Sequence, residues 1–597
     1  MSNDDQKGDL AMTDLKLWQK HEIVLTAECE YDNPYSKVGV WVDLEGPGFS
    51  GRIRGFWNGG REFVVRVLAT APGKWRWRSG SAPEDAGLSG KSGAFSASAW
   101  SEAELAENPN RRGMVQATPD GRGLQYADGT PFFLLGDTWW ALPSFRFPLR
   151  MPDNPKPVAP GATLNDLAHH RRTQGFNCIA ILAAQPGWAN DGHPPRIQME
   201  DGTWIRAAWR QPGTQSAKDM HNDGGRPFEF PGKVPGLEDV FPDVDRINPK
   251  YFKVLDAKVD YLNSLGFVPF IEAARRDTGE AWRRFHDWPE SYARYVQYIF
   301  ARYQANIAIL SPIHYDSYQQ TIPGRDYNAP CNMVVERWGR PPFGTLLSAN
   351  PNPSTLANFG GPNECRWLDL HQIGNMREHH SYWHLTEMFN QHPPKPAING
   401  EPYYAGLHQL GDPYPLRAEP DSETDLAQVR SGLYGSFLSG GFGGVIYGAE
   451  GIWQADTEDE ALYPMWKSFL WRSGDQVRHL KTFAEARGSR YRELVPDANL
   501  VVPSQTGQAI GYTGWRFAAA TPERDLVLIY FEPEGEEPVY LRSLTDGTAF
   551  RGQWFDPRSG KWGDGFEAGA AGRDGKLVLP SRPDHRDWGL MLEAVAL

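Results

Sequence analysis

The chain has 597 residues, 40% of them hydrophobic and 23% charged, which is too long for one core and suits a folded protein of two to four domains. A formal net charge of −13 excludes a nucleic-acid partner, because phosphate binding needs a clustered basic surface and the sequence holds none. No run is long enough to span a bilayer, which excludes a membrane partner.

The first 19 residues are polar and acidic, without a basic and then apolar leader, so a cytoplasmic location is expected. A periplasmic or secreted protein would follow had a leader been removed. Cys29, Cys178, Cys331 and Cys365 lie far apart without metal-type spacing and read as buried thiols. Aromatic residues reach 13%, with 23 Trp, and many of the Trp and Tyr fall in loop-like stretches. Exposed rings stack on sugar faces, so a carbohydrate ligand is expected; the alternative is that they fill cores.

Residues 1–20 read as a polar tail. Residues 21–105 carry strand periodicity, with Val38, Val40 and Val42 alternating with Gly39, Trp41 and Asp43, and turn signals at Asn58-Gly59-Gly60 and Pro72-Gly73. This pattern predicts a β-sandwich. Gly90-Lys91-Ser92 is not a phosphate loop, since position 85 is Asp and no helix follows.

From 106 to 486 strands alternate with helices, which predicts a parallel sheet, and eight such units predict a (β/α)8 barrel of α/β class. The expected strands are 132–135, 178–182, 267–271, 307–310, 343–347, 367–370, 396–398 and 445–447. A long insertion over 186–246, carrying Trp188, reads as a lid. His380 and His384 share a helix face, but no third ligand is near them in sequence, and neither a metal nor a cofactor is expected. The glycines of 440–444 precede a strand instead of following one, unlike a nucleotide loop. Residues 487–597 return to strand periodicity, with hairpins expected at Asp546-Gly547 and Asp574-Gly575, and predict a second β-sandwich. Self-association through the two sandwiches is the expectation for a protein partner.

Catalytic groups of barrel enzymes sit at the C-terminal ends of strands, and here those ends offer Asp137, Glu272, Asp316 and Glu401. Two carboxyl groups are what cleavage of a glycosidic bond requires, one to protonate the leaving oxygen and one to attack the anomeric carbon or activate water. Pro402 and the tyrosines at 403 and 404 set Glu401 apart from an ordinary loop glutamate.

Tyr31-Asp32-Asn33-Pro34-Tyr35, Gly55-Phe56-Trp57-Asn58-Gly59-Gly60 and Pro72-Gly73-Lys74-Trp75 resemble the small N-terminal sandwich that precedes apiosidase-like glycoside hydrolases. Gly136-Asp137-Thr138-Trp139-Trp140, Gly175-Phe176-Asn177 and Asn399-Gly400-Glu401-Pro402 resemble their barrel. Trp554-Phe555-Asp556-Pro557-Arg558-Ser559-Gly560 resembles the collagen-binding-like sandwich often appended to it. The resemblance implies a retaining, exo-acting glycosidase of short oligosaccharides or glycosides, with Glu401 as nucleophile. It places the acid/base at the end of the fourth strand, where this chain has Ile313-His314-Tyr315-Asp316, with His314 at the usual glutamate position.

Three explanations stay open: Asp316 is the acid, His314 donates the proton, or Glu272 supplies it or hydrolysis has been lost. The sugar pocket would be lined by Asp137, Trp139, Trp140, Trp188, Glu272, Arg275, His371, Gln372, Tyr404 and Tyr447. The competing functions are a carbohydrate-binding protein on a barrel without catalysis, and a lyase that uses His314 as base.

Overall fold

The computed structural model describes residues 13–149, 163–184, 196–206, 221–316, 322–407, 418–453, 455–457 and 462–595. In the N-terminal part, the alternation of Val40, Val42 and Leu44 with more exposed residues buries one face of a five-stranded sheet, which packs on a three-stranded sheet. The stretch read as a tail contributes to this sheet. Thr13–Lys16 pairs in parallel with Ser92–Ser98 because Leu15 finds a buried place in the core. Cys29 corrects a second expectation: it is exposed, in a surface turn whose Glu28 and Cys29 N–H groups bond to Asp85, while the other three cysteines are buried.

The central part holds seven parallel strands: β1 (Leu134–Thr138), β2 (Cys178–Leu182), β3 (Val268–Glu272), β4 (Ile309–Ser311), β5 (His371–Ile373), β6 (Ala397–Asn399) and β7 (Gly444–Tyr447). Their order across the sheet is β4-β3-β2-β1-β7-β6-β5. The sheet is curled, because Leu134, Ala180, Phe270, Ile309, Ile398 and Ile446 from six of the strands, and Leu370 just before β5, meet in one cluster on its concave face. Leu135, Ile179, Ile271, Leu310, Ile373 and Val445 lie on the other face under the helices.

The expected fifth strand, 343–347, is not a strand. Pro341 and Pro342 lack an N–H and Gly344 turns the chain at φ 85°, so only short bridges form. Leu310 N–H donates to Leu346 O at 3.0 Å, and Asp369 N–H donates to Leu347 O at 2.8 Å, so the segment touches chain on both sides. Expected strand 132–135 begins later, since Pro131–Phe132 pairs in a separate three-stranded sheet. Gly444 is required where β7 meets β1: its φ is +126° and a Cβ there would lie 2.1 Å from Leu134 O.

Helices cover the convex face, as the sequence pattern dictates. Thr163 and Asp166 form a capping box on the helix Leu164–Thr173, and Asn248 with Pro249 starts the helix Pro249–Ser264, whose Leu255, Val259 and Leu262 are buried. Of the insertion after β2, Ile205, Val234 and Phe241 form a small core beside Phe285 of the helix Arg276–Phe285. Trp188 lies outside the described residues.

The C-terminal part pairs a six-stranded sheet with a three-stranded one. Asp546-Gly547 and Asp574-Gly575 are turns but not hairpins, because Tyr540–Leu541 pairs with Leu577–Val578 and Ala549–Asp556 pairs with Lys561–Ala570, so each turn passes between sheets. Among the described residues no helix is long and apolar enough to cross a membrane.

Asp256 ties the N-terminal sheets to the helical layer. Its carboxylate takes Arg66 Nη2 at 2.6 Å and Arg302 Nη2 at 2.7 Å. Burial pushes this carboxyl up, but Arg302 and Arg66 outweigh burial and hold it well below the usual carboxylate range. The stability it adds is present above the unfolded value of about pH 4 and is lost as pH falls toward the depressed folded value. Asp256→Asn leaves two buried guanidinium groups short of a counter-charge and is expected to destabilise the protein by about 3–5 kcal/mol. A thermal melt of the variant against pH should show a lower Tm at neutral pH and a gap from wild type that narrows in acid.

Candidate active site

The period of two along β3 turns Val268, Phe270 and Glu272 to the concave face, so Glu272 ends the strand fully buried at the centre. Its Oε1 accepts the Asn350 backbone N–H at 3.1 Å, and its Oε2 is in short contact with His314 Nδ1. His314 follows β4 and is pinned on both sides by backbone: its N–H donates to Ala274 O at 2.8 Å, its carbonyl accepts from Arg276 at 3.0 Å, and it bridges in parallel to Asn350. The Trp140 ring meets the imidazole edge-on at 4.6 Å. His314 Nε2 lies 3.3 Å from Asp316 Oδ2.

Asp316 faces two cations, Arg275 Nη2 at 3.3 Å and the Arg276 guanidinium, which favour its ionised form. Glu401 follows β6, and an Asn399 side chain anchored to Ser436 Oγ accepts the Glu401 N–H at 3.1 Å. The Tyr404 hydroxyl donates to Glu401 Oε1 at 2.8 Å. Gly448 makes room for that tyrosine, since a Cβ there would lie 2.2 Å from its ring. Reactive atoms of His314, Asp316 and Glu401 all lie within 4.8 Å of one another. A cation among these three would have to displace the guanidinium groups already on Asp316.

Glu401 Oε2, both side-chain polar atoms of Asn350 and Gln372 Oε1 are buried without a hydrogen-bond partner among the described residues. Buried polar atoms are normally satisfied, so unpartnered atoms on residues that follow the strand ends suit a polar ligand.

Burial pushes the Glu272 carboxyl well above the usual carboxylate range, and the negative charge of Glu401 adds to the rise. Burial drives His314 well below the ordinary imidazole value, helped by Arg275 and Arg276. The proton shared between these two side chains therefore belongs to Glu272, and His314 rests as the neutral imidazole.

Other residues expected at the pocket lie elsewhere. Asp137 is on the convex face, where its carboxylate takes Arg171 Nε at 2.7 Å and Trp139 Nε1 at 2.7 Å. Trp139 stacks on Phe147, and the Tyr447 hydroxyl pairs with Ser473 Oγ at 2.8 Å. His371 meets Thr355 Oγ1 at 2.8 Å and is pushed down to about 3 by burial. These four belong to the layer between sheet and helices, one residue out of phase with the concave face. Trp140, Glu272, Arg275, Gln372 and Tyr404 do lie on the site side, with Gln372 Nε2 donating to Ser348 Oγ at 2.7 Å. Sequence reasoning missed Asn350, Arg276 and Arg377, whose guanidinium lies 4.2 Å from the centroid of the Tyr404 ring. The strand-end rule that found Glu401 would also have found Asn350, had the fifth unit been followed to its end.

The family model described as apiosidase-like, catalytic domain, matches residues 118–489. The chain belongs to the apiosidase-like glycoside hydrolases. A second model, a domain of unknown function (DUF5060), matches residues 14–82. No curated protein matches the chain. Among solved structures, a glycoside hydrolase from Bacteroides vulgatus is 16% identical, with 98% of this chain and 100% of that chain covered and a TM-score of 0.64. A family 5 glycoside hydrolase from the same organism is 18% identical, with 81% of this chain and 94% of that chain covered and a TM-score of 0.55. These likenesses concern the fold. The family match makes this apiosidase-like chain a glycoside hydrolase acting on a carbohydrate.

The Tyr404 hydrogen bond to Glu401 is charge-assisted, a class worth about 1.5–3 kcal/mol. Tyr404→Phe is expected to lower kcat by about 10- to 100-fold at unchanged Tm, measured on aryl glycosides.

Proposed function

We propose that the enzyme is a retaining glycosidase with Glu401 as nucleophile and with its acid supplied by Glu272 through His314. The observation that carries this reading is the approach of Glu401 to His314 within 4.8 Å, with the Glu272 carboxyl, pushed up by burial, in contact with the other imidazole nitrogen. Retaining sites hold their two catalytic groups about 5–5.5 Å apart, whereas inverting sites leave about 6.5–9.5 Å for a water.

In the first step Glu401 Oε2 attacks the anomeric carbon and the bond to the leaving oxygen breaks. His314 Nε2 gives its proton to that oxygen while Nδ1 takes the proton of Glu272, so the imidazole stays neutral overall and Glu272 becomes the carboxylate. Water then attacks the glycosyl ester and returns its proton by the same route, restoring Glu272 and freeing Glu401. Asp316, faced by two arginines, lies 3.3 Å from His314 Nε2 and favours the tautomer with its hydrogen on that nitrogen in the resting site. We infer that the curled sheet closes into an eight-unit barrel through 346–350, and that action is exo on a short glycoside, supported by the insertion after β2.

Glu401→Gln is expected to lower kcat more than about 1,000-fold with an unchanged melt, and Glu401→Ala with azide should yield a glycosyl azide. Glu272→Gln should cost about 100-fold or more on glycosides with alcohol leaving groups but far less on 4-nitrophenyl glycosides, which need no acid. Wild-type kcat/KM should fall as pH rises through the value of the Glu272–His314 pair, and this alkaline limb should vanish in Glu272→Gln. Equal losses on both leaving-group classes would remove Glu272 from the acid role.

A further inference from the structure

The loop that follows β5 carries an arginine next to the cluster. Asn375, at φ 51°, donates its side-chain N–H to Asp316 O at 2.7 Å and accepts Arg377 Nε at 2.9 Å. The Arg377 guanidinium lies over the Tyr404 ring, 4.2 Å from its centroid, and Tyr404 in turn holds Glu401. Arg377 is thus fixed on one side by the segment of Asp316 and on the other by the ring that bonds the nucleophile.

Arg275 and Arg276 both face Asp316, whereas no carboxylate among the described residues lies within ion-pair distance of Arg377. Arg377 Nη1 is buried without a partner, and Nη2 makes no hydrogen bond among the described residues. Glu450 lies in the field of Tyr403 but makes no ion pair with Arg377 among the described residues. A half-buried guanidinium with no ion pair among the described residues gains from an anion brought by a ligand. With Nε occupied by Asn375, the free edge is the Nη1–Nη2 pair, and two parallel donors on a planar group match the two oxygens of a carboxylate.

We propose that Arg377 binds the carboxylate of a uronic-acid residue of the substrate, so that this enzyme cleaves a uronide in preference to the matching neutral glycoside. The inference rests on Glu401 marking the reaction centre.

The test compares 4-nitrophenyl uronides with the matching hexosides, both anomers, in wild type, Arg377→Met and Arg377→Lys. Wild type should favour a uronide in kcat/KM, and Arg377→Met should lower the uronide-to-hexoside ratio by about 100-fold, mainly through KM, with Arg377→Lys intermediate. Calorimetry on Glu401→Gln gives a second reading that needs no turnover. Free galacturonate or glucuronate should bind at least about 30-fold more tightly than galactose or glucose, and adding Arg377→Met should erase the difference. Equal binding of uronate and hexose, no uronate binding to Glu401→Gln, or an equal loss on both substrate classes in Arg377→Met overturns the proposal. Retained turnover in Glu401→Gln would instead sink the nucleophile assignment, and the wild-type preference and its loss in Arg377→Met would still decide the role of Arg377.

Discussion

Four ionisable side chains, Glu272, His314, Asp316 and Glu401, are buried together at the C-terminal ends of the parallel strands, and the need to balance their charge governs what surrounds them. Three carboxylates in one dry site would repel strongly. The protein meets this by three different devices. Asp316 receives two guanidinium groups, burial pushes the Glu272 carboxyl toward its neutral form, and Glu401 takes a tyrosine hydroxyl on one oxygen and has no partner for the other among the described residues. The same environments that make burial tolerable give the two facing carboxyl groups different surroundings, which suits the proposed acid and nucleophile.

Precision at such a site comes from backbone. Ala274, His314 and Asn350 are cross-linked by main-chain hydrogen bonds, so the imidazole and the Glu272 carboxyl are presented by adjoining segments of nearly fixed spacing. The C-terminal sheets contribute at a distance. His379, two residues beyond Arg377, donates its backbone N–H to Gly511 O at 3.1 Å, pairs with Glu532 at 2.9 Å and stacks on Trp515. The loop that carries Arg377 is therefore anchored to the sandwich at the far end of the chain, which gives that sandwich a part in shaping the site. At the other end, Asp256 with Arg66 and Arg302 locks the N-terminal sheets to the helices.

Much of this was legible in the residues. The alternation of strands and helices, the caps at Thr163 and Asn248, and the apolar stripe of Leu255, Val259 and Leu262 follow from local rules that tertiary packing did not override. Where expectation failed, a local signal had been outweighed. Leu15 drew a polar stretch into a sheet, and prolines with Gly344 kept the fifth unit from forming a regular strand.

The sequence by itself determined the order of the elements, the family and the carboxylates that stand at strand ends, because periodicity and short motifs are properties of neighbours along the chain. Only the tertiary structure decided which of those side chains meet. Asp137 and Glu272 have the same standing as strand-end acids, yet a phase difference of one residue sends the first to Arg171 on the convex face and the second to His314 at the centre. Where the proton rests was likewise out of reach of the sequence, since it depends on burial and on the field of a carboxylate that lies 129 positions away along the chain, from Glu272 to Glu401, but adjacent in space.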